Sequence, residues 1–417
     1  MKIRILLAVL IAFALNNCAS IQDDEGWTSE QKNEFLKILE TDEYASICNK
    51  QLLYEKVKST EDSRLMSNLL MHYAHNLANS CIDMQSFAVA QNEKLEKGIS
   101  TYFEINQARV DYHNIRLRLQ SKQSILQILQ PYVPQTKQFF TLIRKYNALK
   151  SPNAVITSEQ LYRIRLNIER AKLMRKDLGR SYALINIPEY KVRFIDKNDS
   201  TALSFGVIVG KPKMQTPIFS APMKYLTINP QWSVPDSIAR NEIIPAILRN
   251  PKYLASHNMV IRKSYDLESE VVDVNSVDWK QYAGGKGSIP YRFIEKPSRR
   301  NVLGRVKFIF PNEHSVYMHD TQSKNLFKHK SRPFSHGCIR LEKPIELLDY
   351  VSTNYTNKDF TTAKSLHDSL KTHHLRLNRD LMVHTTYFTV YVGNDDVLRI
   401  YSDVYGYDKS QRLNFKV

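Results

Sequence analysis

The stretch on which the interpretation of the chain depends reads Ser335-His336-Gly337-Cys338-Ile339-Arg340, and His319-Asp320-Thr321 precedes it. Together they bring a thiol, two imidazoles and a guanidinium into one short segment. A free cysteine thiol has a pKa near ~8.5, so it needs neighbours that favour the anion before it can act as a nucleophile at neutral pH. The pattern therefore indicates a cysteine nucleophile site with Cys338 as its reactive group.

Gly337 adds a second feature, because a residue without a Cβ lets the backbone approach a substrate carbonyl closely. The Gly337 and Cys338 amides could then form an oxyanion hole. Taken alone, the His-Gly-Cys tripeptide is equally compatible with a buried structural cysteine beside histidines that cap turns. The tripeptide therefore needs support from the rest of the chain.

A metal site is the other interpretation of this region, which contains five potential ligands. The spacing argues against it, because zinc sites usually carry a tight pair such as Cys-x-x-Cys, and here only Gly337 separates the closest two. We therefore expect no metal. The five residues are His314, His319, His329, His336 and Cys338.

The pattern in which His319 is followed by fifteen residues (320–334) and then by Ser-His-Gly-Cys resembles the L,D-transpeptidases. Other motifs in that family's order extend the resemblance over about residues 160–408, to the large periplasmic branch of the family. They are Tyr182-Ala-Leu-Ile-Asn-Ile-Pro188, Val209-Gly-Lys-Pro212, Thr216-Pro217, Asn229-Pro-Gln-Trp-Ser-Val-Pro235, Leu303-Gly-Arg-Val-Lys-Phe308 and Tyr405-Gly-Tyr-Asp408.

The resemblance implies an acyltransferase without a cofactor. Cys338, deprotonated by His319, would attack the carbonyl between the third residue of a peptidoglycan stem and the terminal D-alanine. The thioester would pass to the amine of a second stem, giving a 3→3 cross-link used in peptidoglycan biosynthesis, cell wall organisation and cell shape. Carbapenems are expected to acylate Cys338.

The resemblance also implies which residues surround the thiol. Arg340 could pair with a substrate carboxylate or fix the loop, whereas His336 is expected to shape the loop. Asp320 neighbours His319, but adjacent strand residues point to opposite faces, so a backbone carbonyl is expected to orient His319. The full oxyanion and substrate-binding set is Gly337, His336, Ser335, Arg340 and Tyr317.

The pattern along the chain predicts an α+β protein: a helical N-terminal scaffold domain at 27–178, then a β-rich, β-sandwich-like catalytic domain at 180–417. Thr28-Ser29-Glu30-Gln31 is typical of a capping box at a helix start. Apolar residues at three- and four-residue intervals predict further helices, including a long one over about residues 99–129. These stripes are more typical of core than of a partner surface.

After Gly179 the residues favour strands, with a polar turn at 196–200 between two of them. An insertion at about 238–301 has mixed signals, and the corresponding region of related enzymes caps the active-site groove. We therefore expect Trp232, Trp279 and Tyr282 near substrate, although ordinary packing of these aromatic residues fits as well.

Residues 1–20 read as an export signal, with a short basic start and an apolar run too short to span a bilayer. Cys18 has the position of a lipidated cysteine, and Ala12-Phe13-Ala14 offers an ordinary cleavage site instead. The predicted location is therefore the periplasm or cell envelope, with a membrane anchor if Cys18 is lipidated.

In an oxidising compartment Cys48 and Cys81 can pair and leave Cys338 as the free thiol, although two unpaired buried cysteines fit too. The net charge of +17 favours anionic partners such as phospholipid head groups or acidic wall polymers. Lysine richness shared across a lineage would give the same charge. Nucleic acid is a poor candidate for a partner, because the basic residues are scattered and an export signal is present.

Three classes of function remain open. The first is a cross-linking transpeptidase. The second uses the same thioester but passes it to water, as an L,D-carboxypeptidase, or to a lysine of an envelope protein. The third is a noncatalytic wall-binding scaffold, against which the intact Ser-His-Gly-Cys and its upstream histidine argue.

Overall fold

The computed structural model describes residues 26–151, 154–266, 269–284 and 288–417. The predicted export signal and Cys18 lie outside these residues. Within the described ranges, no helix is both long enough and apolar enough to cross a membrane.

The predicted helical N-terminal region is confirmed. Its first helix begins as expected, since the Thr28 side chain accepts a hydrogen bond from the Gln31 amide and the Gln31 side chain accepts one from the Thr28 amide. Apolar faces of these helices share a core that includes Phe35, Leu69 and Phe139. The helices are α1 (Ser29–Thr41), α2 (Gln51–Thr60), α3 (Ser63–Asn79), α4 (Met84–Glu96), α5 (Tyr112–Gln120), α6 (Ile125–Leu129), α7 (Lys137–Leu149) and α8 (Ser158–Lys172).

The long helix predicted over residues 99–129 is wrong. Gly98, at φ +71°, ends α4, and residues 99–110 run extended before α5. Ser100 pairs with Met214 and Phe103 with Ile218, so this linking segment lies along the catalytic domain. Its side chains largely alternate between exposed and half-buried, which is the two-residue period of a strand. In this segment the two-residue period prevails over the three- and four-residue spacing that suggested a helix.

A disulfide bond joins Cys48 to Cys81 across the helical domain. The buried Glu169 carboxylate accepts from the Cys81 amide at 2.6 Å and pairs with Arg165 and with Lys172 at 2.9 Å. The disulfide therefore lies against a buried cluster of charged side chains. If these side chains moved apart, they would leave unpaired buried charges, which would destabilise the fold.

Replacing both Cys48 and Cys81 with alanine is expected to lower the free energy of unfolding by about 3–4 kcal/mol. The bridge spans 33 residues of sequence, and closing a loop of that length restricts the unfolded chain by about this amount. Denaturant unfolding with and without reductant measures the effect. The wild type and a Cys338→Ala control should respond to reductant, and the double variant should not; equal stability of all three would contradict the expectation.

The β-rich character of the second region is confirmed, but its main element is a single sheet that closes on itself and not the predicted two-sheet sandwich. One nine-stranded sheet has the order β10-β3-β11-β9-β8-β4-β12-β1-β2. The strands of this sheet are β1 (Tyr182–Asn186), β2 (Lys191–Ile195), β3 (Thr201–Gly210), β4 (Ser220–Ile228), β8 (Val306–Ile309), β9 (Met318–His319), β10 (Pro333–Ser335), β11 (Ile339–Leu341) and β12 (His373–Thr386). A second sheet contains β5 (Trp232–Ser233), β6 (Met259–Arg262) and β7 (Arg292–Glu295). A third contains β13 (Val390–Val392) and β14 (Leu398–Ile400).

The large sheet rolls up, because β2 also pairs with β3 near the opposite end of the strand order. This closure encloses the core, in which Val207, Phe308 and Leu341 are buried. Three helices follow the motif in sequence: α12 (Pro344–Tyr355) and α13 (Phe360–Asp368) contribute Leu347 and Ala363 to that core, and α14 (Tyr407–Ser410) lies near the C-terminus. The rolled sheet supplies a rigid platform on which neighbouring strands align side chains.

The insertion is a small folded unit with its own core rather than an irregular loop. Helical residues 236–249 combine α9 (Asp236–Ile238), a π-helical turn (Ala239–Ile243) and α10 (Ile244–Arg249), and α11 (Tyr253–Ser256) follows. They pack on the three-stranded sheet β5-β7-β6 around Ile244 and Phe293. We call residues 234–301 the cap.

Candidate active site

Two parallel strands align the residues that the motif singled out. β11 pairs with β9 in a register that sets Ile339 beside Met318 and Arg340 beside His319. The Ile339 amide donates to the Tyr317 carbonyl at 3.0 Å, which continues the register backwards to Cys338 and Tyr317. Since side chains in register on adjacent strands share a face and alternate along each strand, Cys338, Arg340, Tyr317 and His319 lie on one face.

A third strand adds Lys307 to this face. β8 runs antiparallel to β9 and sets Lys307 opposite His319. The Lys307 ammonium lies 3.7 Å from the centroid of the Tyr317 ring. His319 therefore stands in a row between Arg340 and Lys307, with the thiol and Tyr317 in the next row. Lys307 was not predicted to lie in the site, because the register between three strands cannot be read from sequence spacing.

This face forms the floor of a cleft of roughly 900 Å³. The cap contributes Asp236, Glu242, Tyr265 and Arg292 to its walls, and the linking segment of the helical domain contributes Ser100. The cleft is large enough for a peptide, since small-ligand pockets span about 300–1,000 Å³.

The loop at 335–338 is held by hydrogen bonds to its backbone. The Ser335 hydroxyl accepts from the Gly337 amide at 3.2 Å and donates to the Cys338 carbonyl at 2.5 Å. The Thr216 hydroxyl donates to the Gly337 carbonyl at 2.8 Å and accepts from the Gly210 amide at 2.8 Å. Gly337 has φ +113°, where a side chain would be strained, and this explains the glycine.

One expectation about the oxyanion hole needs correction. The Gly337 amide already donates to Ser335, so it is engaged within the loop rather than directed at a substrate oxygen. The Cys338 amide has no acceptor among the described residues and remains available. Ser335 is 1% exposed and acts by fixing the loop that carries the thiol.

Burial raises the pKa of the Cys338 thiol, while Tyr317, Lys307 and Arg340 act in the opposite direction. The thiol lies 3.8 Å from the Ser315 carbonyl oxygen, to which it donates. The resting group is therefore a thiol, and turnover requires a base.

His319, on the same face as the thiol, is the candidate for that role. Burial and the Arg340 charge lower the pKa of its imidazole to about 3, against the weaker opposing effect of the Asp320 and Leu303 backbone. The ring is therefore neutral at pH 7, and because so weak a base cannot ionise the thiol beforehand, it would take the proton only as the sulfur attacks. Its buried Nδ1 has no hydrogen-bond partner in the described part of the chain, so the expected hydrogen bond to an orienting backbone carbonyl is not formed.

Asp320 does not complete a triad, in line with its position on the opposite face. Its carboxylate accepts from the Arg305 and Thr321 amides and pairs with Lys324 at 2.7 Å. Gly304 lies against it, where a Cβ would stand 2.3 Å from the carboxylate.

His336 connects the loop to the cap. Its Nε2 lies 2.8 Å from a carboxylate oxygen of Glu242, in the π-helical turn. Burial lowers the pKa of His336, and Glu242 opposes this. Glu242 is a second residue that sequence analysis missed, since nothing in the insertion marks it as a partner of the motif.

The three aromatic residues expected near substrate, Trp232, Trp279 and Tyr282, occupy two different environments. Trp232 lines the cleft. Trp279 is 4% exposed, and its indole N–H donates to the Val274 carbonyl at 2.7 Å within the cap's core. Tyr282 packs against Trp279 there, so neither of these two residues lines the cleft, and packing explains both.

Four of the five residues considered as metal ligands line the cleft, but among the described residues they form no group of three ligand atoms within 4.8 Å of one another. His314 stacks on Tyr102, with ring centroids 4.2 Å apart, and His329 packs on Phe334. His336 is engaged by Glu242. Their positions leave the catalytic-cysteine interpretation as the one with geometric support.

Comparison with known proteins also indicates an L,D-transpeptidase catalytic domain. Residues 180–362 match the family model for the L,D-transpeptidase catalytic domain, YkuD. A curated protein of Haemophilus influenzae (strain ATCC 51907 / DSM 11121 / KW20 / Rd), described as "Putative L,D-transpeptidase", is 30% identical over 233 residues, or 55% of this chain. The alignment spans 45% of that relative's length.

Two solved structures were also matched. The L,D-transpeptidase from Mycobacterium smegmatis shares 11% identity over 50% of this chain and 58% of that chain, with a TM-score of 0.21. The Ldtfm-avibactam carbamoyl enzyme shares 9% identity over 72% of this chain and 98% of that chain, with a TM-score of 0.23.

Proposed function

We propose that the protein forms 3→3 cross-links in peptidoglycan through a Cys338 thioester, a proposal supported by the match of residues 180–362 to the L,D-transpeptidase catalytic-domain model. The observation that carries the proposal is the in-register face of Cys338, His319, Tyr317 and Arg340 at the floor of the cleft. This arrangement would place a nucleophile, a neutral base and a positive charge around the substrate carbonyl carbon.

In the first step His319 takes the thiol proton while the sulfur attacks the carbonyl of the third stem residue. The S–C bond forms, the Cys338 amide supports the oxyanion, and the amide C–N bond breaks as His319 returns the proton to the leaving D-alanine amine. In the second step the amine of another stem attacks the thioester, and sulfur leaves as the thiol.

The envelope is the proposed location. The Cys48–Cys81 disulfide supports an oxidising compartment, and the segment at 1–20 has the pattern of an export signal. Anchoring through Cys18 belongs to the same proposal. Labelling cells with a radioactive fatty acid should mark the wild type and not a Cys18→Ser variant.

Incubation of the purified protein with disaccharide-tetrapeptides, followed by mass spectrometry, tests the function. We expect dimers that lack one D-alanine, and none from Cys338→Ala. Tripeptide monomers without dimers would instead establish a carboxypeptidase. The absence of any Cys338-dependent product would overturn the proposal for isolated stems and leave a protein acceptor to be tested.

A further inference from the structure

Lys307 and Arg340 are two half-buried cations in the cleft that have no carboxylate partner among the described residues. Arg340 Nε is buried and makes no hydrogen bond there, and the Lys307 ammonium contacts only the Tyr317 ring. The carboxylates nearby are engaged elsewhere, Glu242 with His336 at 2.8 Å and Asp236 with Arg292 at 3.5 Å.

Leaving two charges without a partner in a partly dry site is costly. Burial lowers the pKa of both Lys307 and Arg340; a Cys338 thiolate would oppose this at both residues, and Glu242 opposes it at Arg340. The resting thiol is neutral, however, because burial raises its pKa. Glu242 offers Arg340 part of the compensating charge from a distance, but its carboxylate is bonded to His336, so a bound anion would supply the direct partner that both cations lack.

The geometry fixes where that charge would lie. Adjacent strands are about 4.8 Å apart, so the backbones of Lys307 and Arg340 are separated by about 10 Å across His319. Both side chains are long, and Cys338 precedes Arg340 by two residues on the same face. An anion within a few ångströms of the carbon that the sulfur attacks lies within reach of both.

The donor stem carries such an anion. In a stem that ends in D-alanine, three bonds separate the attacked carbonyl carbon from the carbon of the terminal carboxylate, which limits their distance to about 4 Å. We propose that Lys307 and Arg340 bind this terminal carboxylate, so that the cleft selects stems whose scissile bond precedes the last residue. The inference rests on the proposed function and assigns its donor specificity to two residues.

A comparison of substrates and variants tests the assignment. The donors are a disaccharide-tetrapeptide with a free terminal carboxylate and the same compound as its terminal carboxamide. Each charge-assisted hydrogen bond contributes about 1.5–3 kcal/mol, so amidation should lower kcat/KM of the wild type about 10- to 100-fold or more. In Lys307→Met and in Arg340→Met the acid should react more slowly, and amidation should cost about threefold or less.

Arg292→Met is the matched control, since it removes a cleft cation that is already paired with Asp236. It should keep the wild-type preference for the free acid. If Lys307→Met and Arg340→Met slow both donors equally, or keep the full preference for the acid, the cations act on the thiol or the oxyanion and the carboxylate site is wrong.

Alkylation of Cys338 provides a test that does not depend on turnover. Iodoacetate carries a carboxylate on the carbon that the thiol attacks, and iodoacetamide is its neutral counterpart. The ratio of their rate constants should fall about tenfold from the wild type to either Met variant. An unchanged ratio would overturn the site. If alkylation behaves as expected but no donor reacts, the anion site stands and the proposed function fails, together with the assignment of the stem carboxylate.

Discussion

Replacing Cys338 with alanine is expected to reduce the release of D-alanine from a tetrapeptide donor by at least ~10⁴-fold, the scale of loss when a covalent nucleophile is removed. No neighbouring group can substitute for it in the same place. Ser335 is buried, and its hydroxyl donates to the Cys338 carbonyl. Initial rates of D-alanine release measure the effect directly.

The alanine variant should keep the architecture of the loop. Ser335 and Thr216 hold it through the carbonyls of Cys338 and Gly337, and these backbone groups remain after the substitution. Unfolding curves should therefore coincide with the wild type. Within the described ranges Cys338 is the one free cysteine, so a trapped thioester or a carbapenem adduct should appear in the wild type alone. A variant that stays within tenfold of the wild-type rate would show that the thiol is not the nucleophile.

The motif names Cys338 and His319, which lie together at the floor of the cleft, but it does not identify what surrounds them. Cys338 and His319 follow from a local motif, because the chemistry needs a thiol and a base whose residue types can be read directly. Lys307 does not, since its place beside His319 depends on an antiparallel register between β8 and β9 that no local pattern specifies.

Other errors have a similar physical origin. The Gly337 amide was expected to donate to substrate, but it donates to the hydroxyl of Ser335, two residues earlier in the chain. Trp279 and Tyr282 were expected in the cleft because aromatic residues in a long insertion suggest a binding loop. The insertion has enough apolar residues to build its own core, and these two rings fill it.

The helical region shows the same limit. The spacing of apolar residues identified the helices whose apolar side chains pack against neighbouring helices. It failed at residues 99–110, where the partner is an extended part of the catalytic domain and the Ser100 and Phe103 backbones pair with it. Tertiary pairing therefore decided a segment whose local signals were mixed.

Replacing His319 with glutamine is expected to lower kcat/KM at pH 7 by about 10³-fold, within the range for loss of a general base. The effect should be strong because burial raises the pKa of Cys338, so little thiolate forms without a base. The activity that remains in the variant should rise about tenfold per pH unit toward the pKa of the thiol. Rate profiles from pH 5 to 10 would show this slope.

The wild type should behave differently in acid. The pKa of His319 is lowered to about 3, so the imidazole stays neutral through the range in which an ordinary histidine, with a pKa of 6.5, would gain a proton. Between pH 5 and 8, protonation of His319 should therefore not limit the rate. An acid limb with a midpoint near 6.5, in a protein that remains folded, would instead indicate a resting thiolate–imidazolium pair.

The same pKa determines how stability depends on pH. Below pH 6.5 His319 is protonated in the unfolded chain, whereas in the folded chain it stays neutral until about pH 3. The free energy of unfolding therefore falls progressively as the pH is lowered across that interval. His384, with its pKa lowered to about 4, adds a similar dependence. His319→Gln should lose part of this acid sensitivity and keep the part due to His384. Denaturant unfolding of both proteins at pH 4.5 and 7 measures it, and an identical loss of stability in the two would mean that His319 is already charged in the folded state.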